Sequence, residues 1–190
     1  GPARIGVFVG TSTSGILETE LAYRRRDASG ALPAEFRYAT THNTYSVAWF
    51  VQSYFGLTGP SMAISTACSS SAKAFGSAAR MIAAGLCDAA LVGGVDSLCL
   101  TTLYGFGSLG LLSPIGCRPF DTDRDGISIG EGAGMVLLEK KAEGRKADSI
   151  ALLGVGESSD AYHMSTPHPE GLGARMAMEH ALMSAGLRPG

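Results

Sequence analysis

The chain has 190 residues, 45% of them hydrophobic and 17% charged, which describes a compact globular domain and excludes disorder, collagen and coiled coil. Fifteen lysines and arginines stand against 17 aspartates and glutamates for a net charge of -2, so the expected ligand is a small molecule or a protein and not a nucleic acid or a membrane. At this length about 70% of the unfolded surface can be buried without disulfides or metal, and the outlier is glycine, 26 residues against roughly 7% in ordinary domains.

The amino-terminal GPARIGVFVG carries no basic leader, and no window holds about 18 uninterrupted apolar residues. Its apolar part, residues 5–9, is the first predicted strand. RRRDASGALP at 24–33 reads as a surface loop, and 43–55 has helical spacing. A short strand at 62–65 runs into a predicted helix over 69–85, where Ala72, Phe75, Ala79, Ile82 and Ala83 form the apolar stripe. Only Lys73 and Arg80 are charged there, so this helix is expected to be largely buried, with Gly76 and Ser77 allowing close packing. A strand at 89–95, a helix at 101–109 and a strand at 135–139 follow. Beyond the basic, exposed stretch 140–146 come a predicted strand at 150–155 and a helix at 173–185. Strands alternating with helices imply an α/β fold with a sheet covered on both faces.

Two motifs resemble binding loops without fitting them. Asp121, Asp123, Asp125 and Gly126 open like a calcium loop, but the twelfth position is Gly132 and the ninth is Ile129. Those carboxylates are expected to cap turns and pair with Arg118 or Arg124. GEGAG at 130–134 precedes a strand where a dinucleotide loop would follow one.

Cys68, Cys87, Cys99 and Cys117 contain no CxxC pair and suit a reducing cytoplasm. Cys68 differs from the others by its setting in GPSMAISTACSSSAKAF, residues 59–75. A strand running into Thr66-Ala67-Cys68 and then a helix puts the thiol on a sharp turn, where the helix dipole and free N–H groups favour a thiolate and can stabilise an oxyanion. Small neighbours, Ala67 and Ser69 to Ser71, leave room for a thioester.

These residues resemble the nucleophile signature of the β-ketoacyl-acyl carrier protein synthases, the condensing enzymes of fatty-acid and polyketide synthesis. AALVGGVDSL, GFGSLGLLS, RPFDTDRDGISIGEGAGMVLLEK and SSDAYHMSTPHPEGLGA are similar to the blocks that follow in that family, in the same order. The resemblance implies a thiolase-like layered α/β/α/β/α fold, incomplete in this chain. Residues 1–150 would be the nucleophile-bearing half of a ketosynthase and 151–190 the start of its second half.

The resemblance also implies roles. Cys68 would accept an acyl chain from the phosphopantetheine arm of acyl carrier protein, with its own N–H as one oxyanion donor. Phe106 would lie beside the acyl pocket. Asp160, His163, Ser165 and Thr166 would border the pantetheine entrance, and Tyr38 would line the partner subunit's pocket across a homodimer interface. No metal or organic cofactor is implied, and the expected location is the cytoplasm. The family's downstream histidine motifs are not matched by His42, His163, His168 or His180, so this chain alone is expected not to condense. Two other readings are a thiolase-fold acyltransferase that uses coenzyme A thioesters and a non-catalytic chain-length-controlling partner subunit, which would lack the cysteine.

Overall fold

The computed structural model describes residues 1–140, 149–164 and 166–189. The chain divides into two compact units, Gly1–Lys140 and Lys141–Gly190.

Four strands build the sheet of the first unit: β1 (Ile5–Gly10), β2 (Ser61–Ile64), β3 (Ala89–Asp96) and β4 (Gly132–Glu139). Their spatial order is β2-β1-β3-β4, with β1 parallel to β2 and β3, and β4 antiparallel to β3. The helices of this unit are α1 (Ile16–Arg24), α2 (Tyr38–Thr41), α3 (Ser46–Tyr54), α4 (Ser70–Ala83) and α5 (Leu100–Ser108).

The sequence IGVFVG makes β1 a central strand because Val7, Phe8 and Val9 alternate across the pleat and all three are fully buried. Phe8 packs with Ala90 and Val92 of β3 against Ala74 and Ala78 of α4. Val7 and Val9 face the other way, onto Ala48 of α3. Both faces of β1 are thus covered as expected. Coverage ends before β4, whose residues are exposed apart from a half-buried Leu138.

The buried face of α4 is turned from the expected stripe. Ser70, Ala74 and Ala78 form it, Phe75 and Ile82 pack at its flank, and Ala72 and Ala83 are exposed. Small side chains win the innermost positions because the helix axis lies close to β1 and β3, and the larger ones are pushed to its edges. Two helices, α1 and α2, have no counterpart in the predicted elements. The first buries only Ala22 and starts without a side-chain cap, and the second has four residues, so neither leaves a strong periodic signal.

The second unit contains α6 (Leu172–Ala185). The strand expected at 150–155 does not form. An apolar run is a strand only if a neighbour supplies the ladder, and among the described residues none pairs with it. Val155 instead donates its N–H to Ser184 Oγ of α6 at 2.9 Å. Gly154 and Gly156 permit this approach, because a β-carbon on them would stand 2.7 Å from the Ala185 nitrogen and 3.0 Å from the Ala177 carbonyl carbon. Of the basic stretch 140–146, all but Lys140 lies outside the described residues.

Candidate functional site

Between β2 and α4 the chain reverses over five residues, and Cys68 is exposed on that turn. Its hydroxyl neighbours tie the turn together. Ser70 Oγ accepts the Thr66 N–H at 2.8 Å and donates to the Ala67 carbonyl at 2.6 Å. Ser69 Oγ donates to the Thr66 carbonyl at 2.8 Å. The crossed bonds hold Ala67 at φ +53°, a left-handed conformation that costs a residue with a β-carbon about 1–2 kcal/mol. Cys68 therefore stands just before the amino end of α4, where the first-turn N–H groups have no acceptor within the helix. This is the setting that oxyanion stabilisation needs.

The floor under the turn is made of two glycines paired in register, Gly10 at the end of β1 and Gly94 on β3. A β-carbon at Gly10 would lie 2.5 Å from the Ser70 carbonyl carbon, and one at Gly94 would lie 2.9 Å from Ser71 Cβ. The first turn of α4 rests on bare backbone, and no other residue type leaves that space.

A second feature of the site joins the AALVGGVDSL block to the loop after β1. At the carboxyl end of β3, Asp96 Oδ1 accepts four hydrogen bonds from the loop after β1: Ser12 N–H at 2.7 Å, Thr13 N–H at 3.1 Å, Thr13 Oγ1 at 3.1 Å and Thr11 Oγ1 at 3.3 Å. Thr11 and Thr13 are buried. An unpaired buried hydroxyl is costly, so the run Thr11-Ser12-Thr13-Ser14 was the available signal for a partner carboxylate.

The other cysteines differ from Cys68. Cys87 is buried, and desolvation pushes its thiol above the usual value. Cys99 is buried at the start of α5, and Cys117 is exposed in a loop. Asp125 pairs with Arg118 at 3.8 Å and accepts Ser113 Oγ at 2.7 Å, while Asp121 caps the Asp123 N–H at 2.8 Å. Arg118 also donates to the Asp123 carbonyl, and Arg124 to that of Asp121. Asp121 and Asp125 thus cap a turn and pair with Arg118, as expected of these carboxylates.

Phe106 is half-buried on α5. That helix is capped from α1 by Glu20, whose carboxylate accepts Leu100 N–H, Thr101 N–H and Thr101 Oγ1 at 2.9, 2.8 and 2.6 Å. Burial pushes the Glu20 carboxyl up, but the three donors outweigh it and hold it below its usual value. Tyr38 is exposed on α2 and packs its ring 5.3 Å from that of His42, whose Nδ1 meets Thr19 Oγ1 at 2.9 Å.

In the second unit Asp160 Oδ2 accepts the His168 N–H at 3.0 Å, and this bond holds its carboxyl below the usual range. His163 and Thr166 are exposed in the same loop, and Ser165 lies outside the described residues. The T-shaped ring pair Tyr162–His168, 5.0 Å between centroids, closes the loop. Among the described residues no three His, Cys, Asp or Glu side chains are grouped to hold a metal, and no helix is long and apolar enough to cross a membrane.

A family model described as "Beta-ketoacyl synthase, N-terminal domain" matches residues 1–144. The chain is 36% identical, over 97% of its length, to 3-oxoacyl-[acyl-carrier-protein] synthase 2 of Vibrio cholerae, of which it covers 47%. It thus spans about half the length of the curated relatives it matches. Among solved structures it is similar to a ketosynthase in complex with its chain length factor from Xenorhabdus doucetiae, with 44% identity and a TM-score of 0.86 over 100% of this chain and 46% of that one. It is also similar to a type II polyketide ketosynthase in complex with its acyl-carrier protein, with 25% identity and a TM-score of 0.86 over 99% of this chain and 50% of that one. The α/β fold described above is the one those ketosynthases share.

Proposed function

The chain belongs to the β-ketoacyl synthase family, and from that membership we propose that it carries the nucleophile of a ketosynthase acting in fatty-acid or polyketide synthesis. The observation that carries the reading is the exposed Cys68 on a strained strand-to-helix turn at the amino end of α4. Its thiolate attacks the carbonyl of an acyl thioester on acyl carrier protein, expels the pantetheine thiol and keeps the acyl group. Loss of carbon dioxide from malonyl-carrier protein then supplies a carbanion that attacks the Cys68 thioester. The β-ketoacyl product leaves on the carrier, and the Cys68 thiolate is regenerated.

In this reading Phe106 borders the acyl pocket, and Asp160, His163, Ser165 and Thr166 border the pantetheine entrance. Tyr38, exposed on α2, serves a second subunit across a homodimer interface. The reaction needs no metal or organic cofactor, since the phosphopantetheine belongs to the carrier. Four free thiols suit a reducing cytoplasm. Carbanion formation requires positioned neutral donors such as imidazole, and the four histidines of this chain lie outside the family's histidine motifs. The 190 residues alone therefore do not turn over.

A second reading, the non-catalytic chain length partner, is favoured by the complexes of the two kinds of subunit among the similar structures. Cys68 weighs against it. The test is mass spectrometry of the full-length enzyme after incubation with acyl-carrier protein or acyl-CoA. Labelling of Cys68 from the carrier supports the ketosynthase, labelling from acyl-CoA alone supports a coenzyme A acyltransferase, and no labelling from either supports the partner subunit.

A further inference from the structure

We propose that Asp96 is a positioning residue for Cys68, an inference that rests on the reading of Cys68 as the nucleophile. Three observations join end to end. First, Asp96 Oδ1 gathers the Thr11, Ser12 and Thr13 donors and so fastens the carboxyl ends of β1 and β3 to each other. Thr13 Oγ1 strengthens the joint by accepting the Ser97 N–H at 2.8 Å.

Second, the fastened ends begin one residue beyond Gly10 and two beyond Gly94, the register pair on which the first turn of α4 sits. Thr11 also ties this point to β2, donating its N–H to the Ile64 carbonyl at 3.0 Å. Third, Ser70 in that first turn sets the backbone around Ala67 through its bonds to Thr66 and Ala67. If the ends of β1 and β3 part, the floor changes, α4 shifts, and the Ser70 bonds that present Cys68 are lost. Asp96 touches no reacting atom in this scheme and acts through the glycine floor.

The molecule contains its own control. At the opposite ends of the same two strands Arg4 and Asp88 form a bidentate pair, with bonds of 3.1 and 2.6 Å. This clamp joins β1 and β3 as Asp96 does, but far along the strands from the turn. A purely structural role for Asp96 would make the two clamps equivalent.

The experiment measures the iodoacetamide alkylation rate of Cys68 by peptide mass spectrometry in the full-length enzyme, with acyl uptake from acyl-carrier protein as a parallel readout. Asp96→Ala is expected to slow alkylation several-fold and acyl uptake by up to about a hundredfold, the scale that an ångström of misplacement produces between positioned reactants. Asp96→Asn keeps an oxygen for the same donors and is expected to restore the rate. Asp88→Ala, compared at equal distance below its own melting temperature, is expected to alkylate like the unsubstituted enzyme. Should Asp96→Ala fold poorly, Thr13→Val against Thr13→Ser decides: the first slows alkylation and the second does not.

Unchanged alkylation in Asp96→Ala, or an equal loss in Asp88→Ala, overturns the proposal. So does an unchanged rate in Thr13→Val where Asp96→Ala cannot be purified. If the alkylation pattern holds while no acyl group reaches Cys68 in the unsubstituted enzyme, the positioning stands and the ketosynthase reading falls.

Discussion

Replacing Gly10 by alanine tests whether the site depends on backbone contact beneath the α4 turn. The new β-carbon would lie 2.5 Å from both the Ser70 carbonyl carbon and Ser71 Cα, where carbon atoms pack at about 3.5–4.0 Å. Both obstacles are main chain, so relief requires the first turn of α4 to retreat by about 1 Å. Overpacking of this kind costs about 1–3 kcal/mol, offset by the roughly 0.5–1 kcal/mol that alanine gains over glycine inside a strand. The net loss, from near zero to about 2.5 kcal/mol and centred on about 1, lowers the melting temperature by up to a few degrees. Cys68 moves with the turn, and a shift of 1 Å can slow its acylation up to about a hundredfold. Differential scanning calorimetry and the rate of acyl uptake from acyl-carrier protein, both on the full-length enzyme, provide the two readouts. Gly105→Ala is the matched control: it lies within α5, and a β-carbon there meets nothing within 4 Å. That change should leave acylation alone and stabilise by up to about 1 kcal/mol. A Gly10→Ala enzyme as stable and as reactive as the original would show that α4 is not seated on this glycine.

Cys68→Ala should abolish the acyl-enzyme seen by mass spectrometry, whereas Cys87→Ala should leave it, because burial keeps the Cys87 thiol protonated. Equal loss in both would remove the assignment. Ser70→Ala strips the Thr66 N–H of its acceptor and should cost about 1–3 kcal/mol in urea unfolding, together with slower Cys68 labelling. Glu20 has a folded pKa below its unfolded one, so its contribution is fully present above the usual glutamate value and fades as pH falls through the folded one. The stability advantage over Glu20→Gln should therefore hold at neutral pH and vanish on acidification, and an advantage that grew in acid would contradict the capping of α5. Finally, the 190-residue chain supplied with malonyl- and acyl-carrier proteins should release no β-ketoacyl product in a chromatographic assay, and robust turnover would refute the need for further donors.

The predicted strands at 5–9, 62–65, 89–95 and 135–139 each correspond to an observed strand because they are short apolar runs between turn residues, a pattern set by local composition. The run at 150–155 has the same composition and fails, because a ladder is a property of two segments and no neighbour pairs with it among the described residues. Helix α1 leaves little signal in the sequence for the converse reason: with one buried residue it shows little periodicity, and Glu20 joins it to α5 across the fold.

The strand-to-helix turn that carries Cys68 was legible in the sequence because its requirements are local: a strand, a cysteine, small residues and a helix start, all within 59–75. The glycine excess was visible too, but its purpose was not. Gly10 lies more than 80 positions from Gly94 and Asp96 along the chain, and only the parallel pairing of β1 with β3 brings its end of the sheet beside theirs. Sequence determined which residue is proposed to react, since the strand, the cysteine, the small residues and the helix start are adjacent residue types. Tertiary structure decided what holds that residue in place, since close approach and a shared carboxylate exist only once distant strands meet.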